Sequence, residues 1–387
     1  MKKENCSMNK DTGKRYATPA KNRETSKNRP VKGKKGRKRH PVIRFLTSLC
    51  ICVIVVVVGI FCVYSYYYGM LNYNDGNWLN PSAAENDPDL IKDGANVSGE
   101  LGELIDKMGA DLAKYDILSS SDVTNILLIG VDDRSDEMTQ RSDSMILVSI
   151  NNKTQKIYMT SFMRDTWVYI PGYGYQRLNV ANLYGGPQLL METLEYNFKI
   201  HVEKYAMVNF MSFIDIVNEV GGVEIEVTDE EIQYINEYIY TYSNEVDDTF
   251  VSVPGGVDEI TEAGTYNLNG MQALAYCRIR YVGDDFERTN RQRKVMTAVF
   301  EKAKENPASI PGLVEVIFPM VTTNISSMEM LGMCANAPSY LSYELISQRV
   351  PADGTWYNYT TDGGADVLGV DLDANITLLR DTIYAEY

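Results

Sequence analysis

The longest apolar run in the chain extends from Phe45 to Tyr68 without a charge, FLTSLCICVIVVVVGIFCVYSYYY. About 20 helical residues cross a bilayer's hydrocarbon core, so the run predicts a transmembrane helix over 45–68. Tyr64, Tyr66, Tyr67 and Tyr68 would form an interfacial aromatic belt at its far end. It is too long and starts too late for a cleaved signal peptide, and no A-x-A-like site follows. From Val123 onward the pattern changes to short apolar segments separated by turn residues. NILLIG, SMILVSI and KIYMTSF read as strands, the last two joined by the turn Asn151-Asn152-Lys153. Pro187 opens a helix through QLLMETLEYNF, and FMSFIDIVNEV reads as a second helix that stops at Gly221-Gly222. VEIEV follows as a strand, EIQYINEYIYTY as a helix, AYCRIRY as a strand, and another helix begins near Asp284 or Asp285. The last segments, YELISQRVPADGTWY and VLGVDLDANITLLRDTIYAEY, add a strand and a closing helix. This alternation predicts an α/β domain over 122–387, with a central mixed β-sheet flanked by helices on both faces. Residues 69–121 read as an extracytoplasmic connector with one amphipathic helix, ELGELIDKMGADLAKY.

Charge divides the chain at the apolar run. Of 387 residues, the first 44 carry sixteen Lys or Arg and three acids, while the rest hold 21 basic and 49 acidic residues. Short basic flanks stay inside the cell, so 1–44 is expected to be a disordered cytoplasmic tail and everything past 69 extracytoplasmic. Cys6, Cys50, Cys52 and Cys62 lie in the tail or the span, leaving Cys277 and Cys334 outside, a pair that the sequence allows without requiring. With two His and no C-x-x-C, zinc is not expected.

Three blocks place charge where strands end. In IGVDDRSDEMTQRSDS, Asp132 and Asp133 follow the end of NILLIG, and Arg134, Arg141 and Asp143 precede the next strand. Carboxylates beyond the carboxyl ends of strands, with no His nearby, suit a hard cation that takes oxygen ligands and brings phosphate with it, Mg²⁺ or Mn²⁺. The bland alternative is an Asx-rich turn with solvated charges. In SFMRDTWVYIPGYGYQRLNVANLYGG, Arg164, Asp165 and Arg177 stand out, although an Arg-Asp pair alone is more often a structural ion pair. In LNGMQALAYCRIRYVGDDFERTNRQRKV, Arg278 and Arg280 would share one face of a strand and grip adjacent phosphates. Arg288, Arg291 and Gln292 would share one side of the following helix, with Val295, Met296, Val299 and Phe300 on its core side. Asp284 and Glu287 read as a D-x-x-E capping box. Eleven arginines lie beyond residue 44, and nine of them fall in these blocks. Such concentration in an acidic domain points to a local polyanion site such as a pyrophosphate. Nucleic acid, which needs a broad basic face, is not expected as a partner.

NILLIGVDDR, RSDSMILVSIN, SFMRDTWVYIP, RLNVANLYGGP, VNFMSFIDIVNEVGGVEIEV and GMQALAYCRIRYVGDDFERTNRQRKVM together resemble the successive motifs of LytR-CpsA-Psr proteins, in that family's order, over roughly residues 122–305. The resemblance implies a membrane-anchored phosphotransferase that moves a glycopolymer (teichoic acid, capsule or a related polysaccharide) from a polyprenyl-pyrophosphate carrier to a peptidoglycan acceptor. By position it implies Asp132 and Asp143 as magnesium ligands and Arg141, Arg164, Arg177, Arg278, Arg280, Arg288 and Gln292 as pyrophosphate-binding. Asp285 matches the acid of the family's G-D-F-G-R stretch, and Gln292 its polar residue one turn after the Arg. Three residues depart from the pattern: Arg177 stands where Lys is usual, Glu287 replaces a Gly and brings an acid near the site, and Met163 replaces a Pro. Asp143 and Asp285 are both candidates for the catalytic base, with Arg278 and Arg280 as charge-stabilising partners. A lipid tail needs an apolar tunnel, which FMSFIDIV and YLSYELI could line. The same residues leave two alternatives open, a membrane-anchored sensor of lipid-linked wall precursors and a lipid pyrophosphatase.

Overall fold

A computed structural model of the chain describes residues 72–92, 95, 97, 99–131, 140–246, 259–307, 310–361 and 364–385. The basic tail, the apolar run over 45–68 and Asp132 lie outside the described residues. Among the described residues no helix is long and apolar enough to cross a membrane.

The stretch read as a connector is built into the domain. It supplies β1 (Asn72–Tyr73), α1 (Pro81–Glu85), β2 (Ile91–Lys92) and α2 (Glu100–Leu112), and Ala84, Leu104, Met108 and Leu112 join the main core. Its Asn- and Asp-rich sequence reads as loop, yet those polar residues form turns and a helix cap while single apolar residues anchor it. The expected strands follow as β3 (Val123–Val131), β4 (Ser142–Asn151) and β5 (Lys156–Phe162), an antiparallel meander. A hairpin of β6 (Trp167–Ile170) and β7 (Gly174–Arg177) leads into α3 (Val180–Phe198). This helix kinks at Gly185 and Gly186, so Pro187 does open a helical segment, the second half of α3.

The sequence continues with β8 (Lys204–Val208), α4 (Phe210–Glu219), β9 (Val223–Val227), α5 (Asp229–Val246), β10 (Gly264–Leu268), α6 (Gly270–Arg278) and α7 (Asp285–Glu305). After them come α8 (Ile310–Ile317), β11 (Thr322–Thr323), α9 (Ser327–Tyr340), β12 (Glu344–Val350), β13 (Trp356–Thr360), β14 (Asp366–Val370) and α10 (Leu372–Ile383). The central sheet has seven strands in the order β1-β11-β8-β3-β4-β5-β12. Pairing is parallel at β1/β11, β8/β3 and β5/β12 and antiparallel elsewhere. The domain is therefore α/β around a mixed sheet.

The two faces of the sheet are treated differently, and the site follows from this. Successive strand residues point to opposite faces. Leu127, Ile129, Met145, Leu147, Tyr205 and Met207 pack on one face against α2, α3 and α10 in the largest core cluster. Leu128, Gly130, Ser144, Ile146, Ala206 and Val208 point the other way and line a cavity. The helices of that second face, α4 to α7, build their own core around Val217, Ile235, Leu274 and Val295, and a gap remains between them and the sheet.

One expectation is overturned. AYCRIRY is not a strand: Ala275 to Arg278 form the last turn of α6, and the chain becomes extended only at Ile279. The Asn269 side chain caps this helix in a reciprocal box with Gln272, and Met-Gln-Ala-Leu-Ala are strong helix formers. Gly270 lets α6 approach α4 closely, because a Cβ there would overlap the Ile214 carbonyl oxygen.

Candidate functional site

Asp143 marks the centre of the site. Along β3 and β4 the pairing register slips between Gly130, opposite Ser144, and Val131, opposite Ser142. Asp143 is thus the extra residue of a β-bulge, a device that bends a strand end and re-aims its side chain. It lines two neighbouring spaces. One is an open polar cleft bounded by Gln140, Arg141, Arg164, Asp165, Arg177, Asn179 and Leu183. The other is the apolar cavity of about 330 Å³ between sheet and helices.

The cavity is walled by β3, β4 and β8 on one side and by Phe210, Phe213, Ile216 and Val217 of α4 on the other, with Leu274, Met296, Val299, Phe318, Val321 and Met330 completing it. Its polar lining gathers Asp143, Asn209, Arg278, Arg280, Arg288 and Gln292. FMSFIDIV contributes as expected. YLSYELI does not: Tyr340 ends α9, and Glu344 to Ile346 lie in β12 at the far edge of the sheet. Met296 and Val299, expected as plain core, continue the Arg288–Gln292 stripe of α7 along the cavity wall.

Arg278 and Arg280 do meet at the site, by a route other than a strand face. Arg278 ends α6, its guanidinium 4.2 Å from the Phe210 ring and 5.2 Å from Tyr238, and the extended Ile279 swings Arg280 to the same rim. Gly283 (φ +75°) then turns the chain into α7, whose cap is the Asp284 carboxylate accepting from the amides of Phe286 and Glu287. Asp284 caps the helix as expected, but Glu287 does not bond back to the Asp284 amide, so the expected box is only half formed. Glu287 is exposed and accepts from Asn290 at 3.5 Å, away from both spaces, so its acid does not reach the site.

An ion-pair network joins the two spaces. Arg164 Nη1 donates to Asp143 Oδ1 at 3.1 Å, and its Nε lies 3.3 Å from Asp165 and 3.8 Å from Asp285. Arg177 reaches Asp165 at 3.7 Å, and Arg288 reaches Asp285 Oδ1 at 2.9 Å. Burial pushes the Asp285 carboxyl above the usual range, against the pull of Arg288 and Arg164. Burial likewise lowers Arg288, against the pull of Asp285. Asp285 Oδ2 and Arg288 Nε are buried and find no hydrogen-bond partner among the described residues. Buried charge with unmet hydrogen-bonding capacity is costly, and both groups are open to a ligand that brings an acceptor to Arg288 Nε and a donor to Asp285 Oδ2.

Not every expected arginine belongs here. Arg291 is 3% exposed and donates to the carbonyls of Ile279 and Val282, both at 2.9 Å, and to Glu231. It braces the chain between α6 and α7, and the expectation that it shares the Gln292 side is overturned. Two residues that sequence reasoning undervalued, Asp165 and Asn179, line the cleft. Asp165 is half of a structural ion pair, and it also orients both Arg164 and Arg177. Met163 is buried against Phe286 and Leu368. Cys277 and Cys334 are separate free thiols, the first pushed up to about 12 by burial.

With this geometry in place, comparison with known proteins decides the lineage. The sequence profile of the LytR_cpsA_psr family matches residues 96–371. The chain belongs to the LytR-CpsA-Psr family. Over 250 residues it is 33% identical to the polyisoprenyl-teichoic acid–peptidoglycan teichoic acid transferase TagT of Bacillus subtilis, covering 62% of this chain and 70% of that protein. It is 30% identical over 274 residues to the corresponding transferase TagU of Bacillus cereus, covering 68% and 82%. A solved structure of TagT with bound octaprenyl pyrophosphate lipid aligns at a TM-score of 0.51 and 28% identity, covering 68% of this chain and 91% of that one. The LytR-CpsA-Psr profile begins at residue 96, inside the segment that reads as connector, in keeping with the packing of α2 into the core.

Proposed function

We propose that this chain transfers a glycopolymer from a polyprenyl-pyrophosphate carrier to peptidoglycan, releasing polyprenyl phosphate. The observation that carries the reading is the position of Asp143, where an apolar cavity and an arginine-lined cleft meet. The cavity suits a polyprenyl tail, and the rim arginines suit two phosphates, each held by planar forked donors. The relatives TagT and TagU, named for the same transfer, support this assignment, as does the lipid pyrophosphate bound in TagT.

In the reaction, an acceptor sugar hydroxyl attacks the glycan-side phosphorus. A new P–O bond forms, the bond to the bridging oxygen breaks, and the bridging oxygen leaves with its electron pair on the polyprenyl phosphate. Arg278, Arg280 and Arg288 stabilise the charge that grows on the leaving phosphate. Asp285, with a free oxygen and a raised pKa, takes the hydroxyl proton, since a base tuned toward the working pH is the more effective one. Arg164 orients Asp143 and Asp165 together.

Mg²⁺ (or Mn²⁺) belongs to this proposal. Among the described residues no three His, Cys, Asp or Glu gather to form a cage. Mg²⁺ commonly takes one or two carboxylates and completes its shell with waters and substrate phosphates, which the oxygen donors present here fit. Asp143 would hold it together with Asp132. Bound there, it would neutralise phosphate charge in the transition state. The apolar run over 45–68 would anchor the chain, with the tail inside and the domain outside the membrane.

The test uses the full chain in detergent micelles with a polyprenyl-pyrophosphate-linked glycan and Mg²⁺. Release of polyprenyl phosphate that requires peptidoglycan supports the transferase. Equal release without acceptor would assign a pyrophosphatase, and tight binding without turnover a sensor.

A further inference from the structure

We propose that Tyr281 and Tyr234 form a stacking shelf for a sugar ring of the lipid-linked glycan, directly outside the arginines that close the apolar cavity; this rests on the transferase reading above. Tyr281 follows Arg280 in sequence and is 80% exposed. Its ring lies 5.6 Å from that of Tyr234, with 31° between the planes. Tyr234 and Tyr238 are one turn apart on α5 and share a face, and Tyr238 also lies against Arg278. One aromatic stripe therefore supports the phosphate-gripping Arg278 at one end and Tyr281 at the other.

A single exposed aromatic side chain needs no explanation, but the backbone on either side of this one is pinned. Arg291 bonds the carbonyls of Ile279 and Val282, which bracket Tyr281, and pairs with Glu231 of α5. The buried arginine thus fixes the loop to the helix that carries Tyr234. An exposed tyrosine on a pinned backbone, with two χ angles to order, offers a large contact surface at little entropic cost. Order of groups along the donor identifies the occupant: the lipid fills the cavity, the two phosphates meet the arginines, and the next group outward is the first sugar. A pyranose presents a face of C–H groups that packs on an aromatic ring, and its hydroxyls need acceptors. Glu230 and Glu237, both exposed, lie one turn either side of Tyr234. Such carboxylates accept from hydroxyls and repel further phosphate, which favours a sugar on this shelf.

The test measures binding of two probes to the full chain with Mg²⁺: farnesyl pyrophosphate, and the same lipid pyrophosphate carrying one N-acetylglucosamine. Tyr281→Ala should weaken the sugar-bearing probe about five- to tenfold, the scale of one aromatic stacking contact. Binding of the bare lipid pyrophosphate should stay within about twofold, and Tyr281→Trp should restore the sugar-bearing probe. Equal weakening of both probes, or none for the sugar-bearing one, would overturn the shelf while leaving the transferase standing. A wild-type chain that binds neither probe would overturn both.

Discussion

Arg164 Nη1 donates to Asp143 Oδ1 at 3.1 Å and so ties the end of β5 to the bulge of β4. Burial works to lower the Arg164 pKa, but the carboxylates of Asp165, Asp285 and Asp143 outweigh it and hold the guanidinium charged. Arg164→Lys keeps the charge and loses the fork that reaches several carboxylates at once. We expect kcat to fall about 10²- to 10³-fold, the scale for one preorganised polar contact at a reacting centre. Thermal unfolding of the variant should stay near that of wild type, which separates positioning from folding.

Arg291 and Arg280 should behave oppositely although both are arginines of one segment. Arg291 is buried against Glu231 and two carbonyls, so Arg291→Ala leaves an acid and two acceptors unpaired and should cost about 3–5 kcal/mol. Arg280 is exposed on the cavity rim, so Arg280→Ala should change stability by less than about 0.5 kcal/mol and still abolish transfer. Denaturant titration alongside an activity assay distinguishes the two.

Asp285 sets a pH dependence. As a base it works ionised, and burial raises its pKa above the ordinary carboxylate value. Activity should therefore be lost as pH falls through a value higher than that of a solvated Asp, and Asp285→Asn should remove both the activity and this acid limb. The stability linkage has the opposite sign. A raised folded-state pKa contributes stability fully present below the unfolded value and lost as pH rises through the folded one. Wild type should thus gain thermal stability relative to Asp285→Asn as pH is lowered through that window.

The apolar cavity should be separable from the phosphate site. Ala206 lines it from β8, on the sheet face opposite the main core. Ala206→Phe would fill the space proposed for the lipid and should weaken a long polyprenyl pyrophosphate about tenfold, the scale of one or two buried methylenes. Binding of methylene diphosphonate, which has no tail, should be unchanged.

Local pattern carried much of this domain. NILLIG, SMILVSI and KIYMTSF are period-2 or fully apolar runs with clear turns, and they became β3, β4 and β5. AYCRIRY misled because two arginines flanking an apolar Ile279 fit the period of a strand as well as a helix end running into extended chain; the deciding signal was the N-x-x-Q box at Asn269, upstream of the arginines. KYAMV, which became β8 and a wall of the cavity, went unread because five residues between two helices carry little periodicity. The site arginines were legible as a cluster, since nine of eleven fell in three blocks. Their division into ligand-facing and bracing groups was not legible, because Arg288 and Arg291 are three apart on one helix, both are buried beside an acid, and only the packing of α5 shows that Arg291 turns to Glu231 while Arg288 stays on the cavity. The cavity was hidden too. A sheet face lined by Leu128, Ile146 and Val208 reads as core until the helices prove to stand off from it.

The most direct test follows the glycan itself. The full chain, with Mg²⁺, a polyprenyl pyrophosphate carrying a radiolabelled glycan, and peptidoglycan, should place label on the peptidoglycan together with an equal amount of free polyprenyl phosphate. Asp143→Ala and Arg278→Ala should each leave the peptidoglycan unlabelled. Release of polyprenyl phosphate with the label appearing in solution as free phosphorylated glycan, or transfer that persists in Asp143→Ala, would contradict the account.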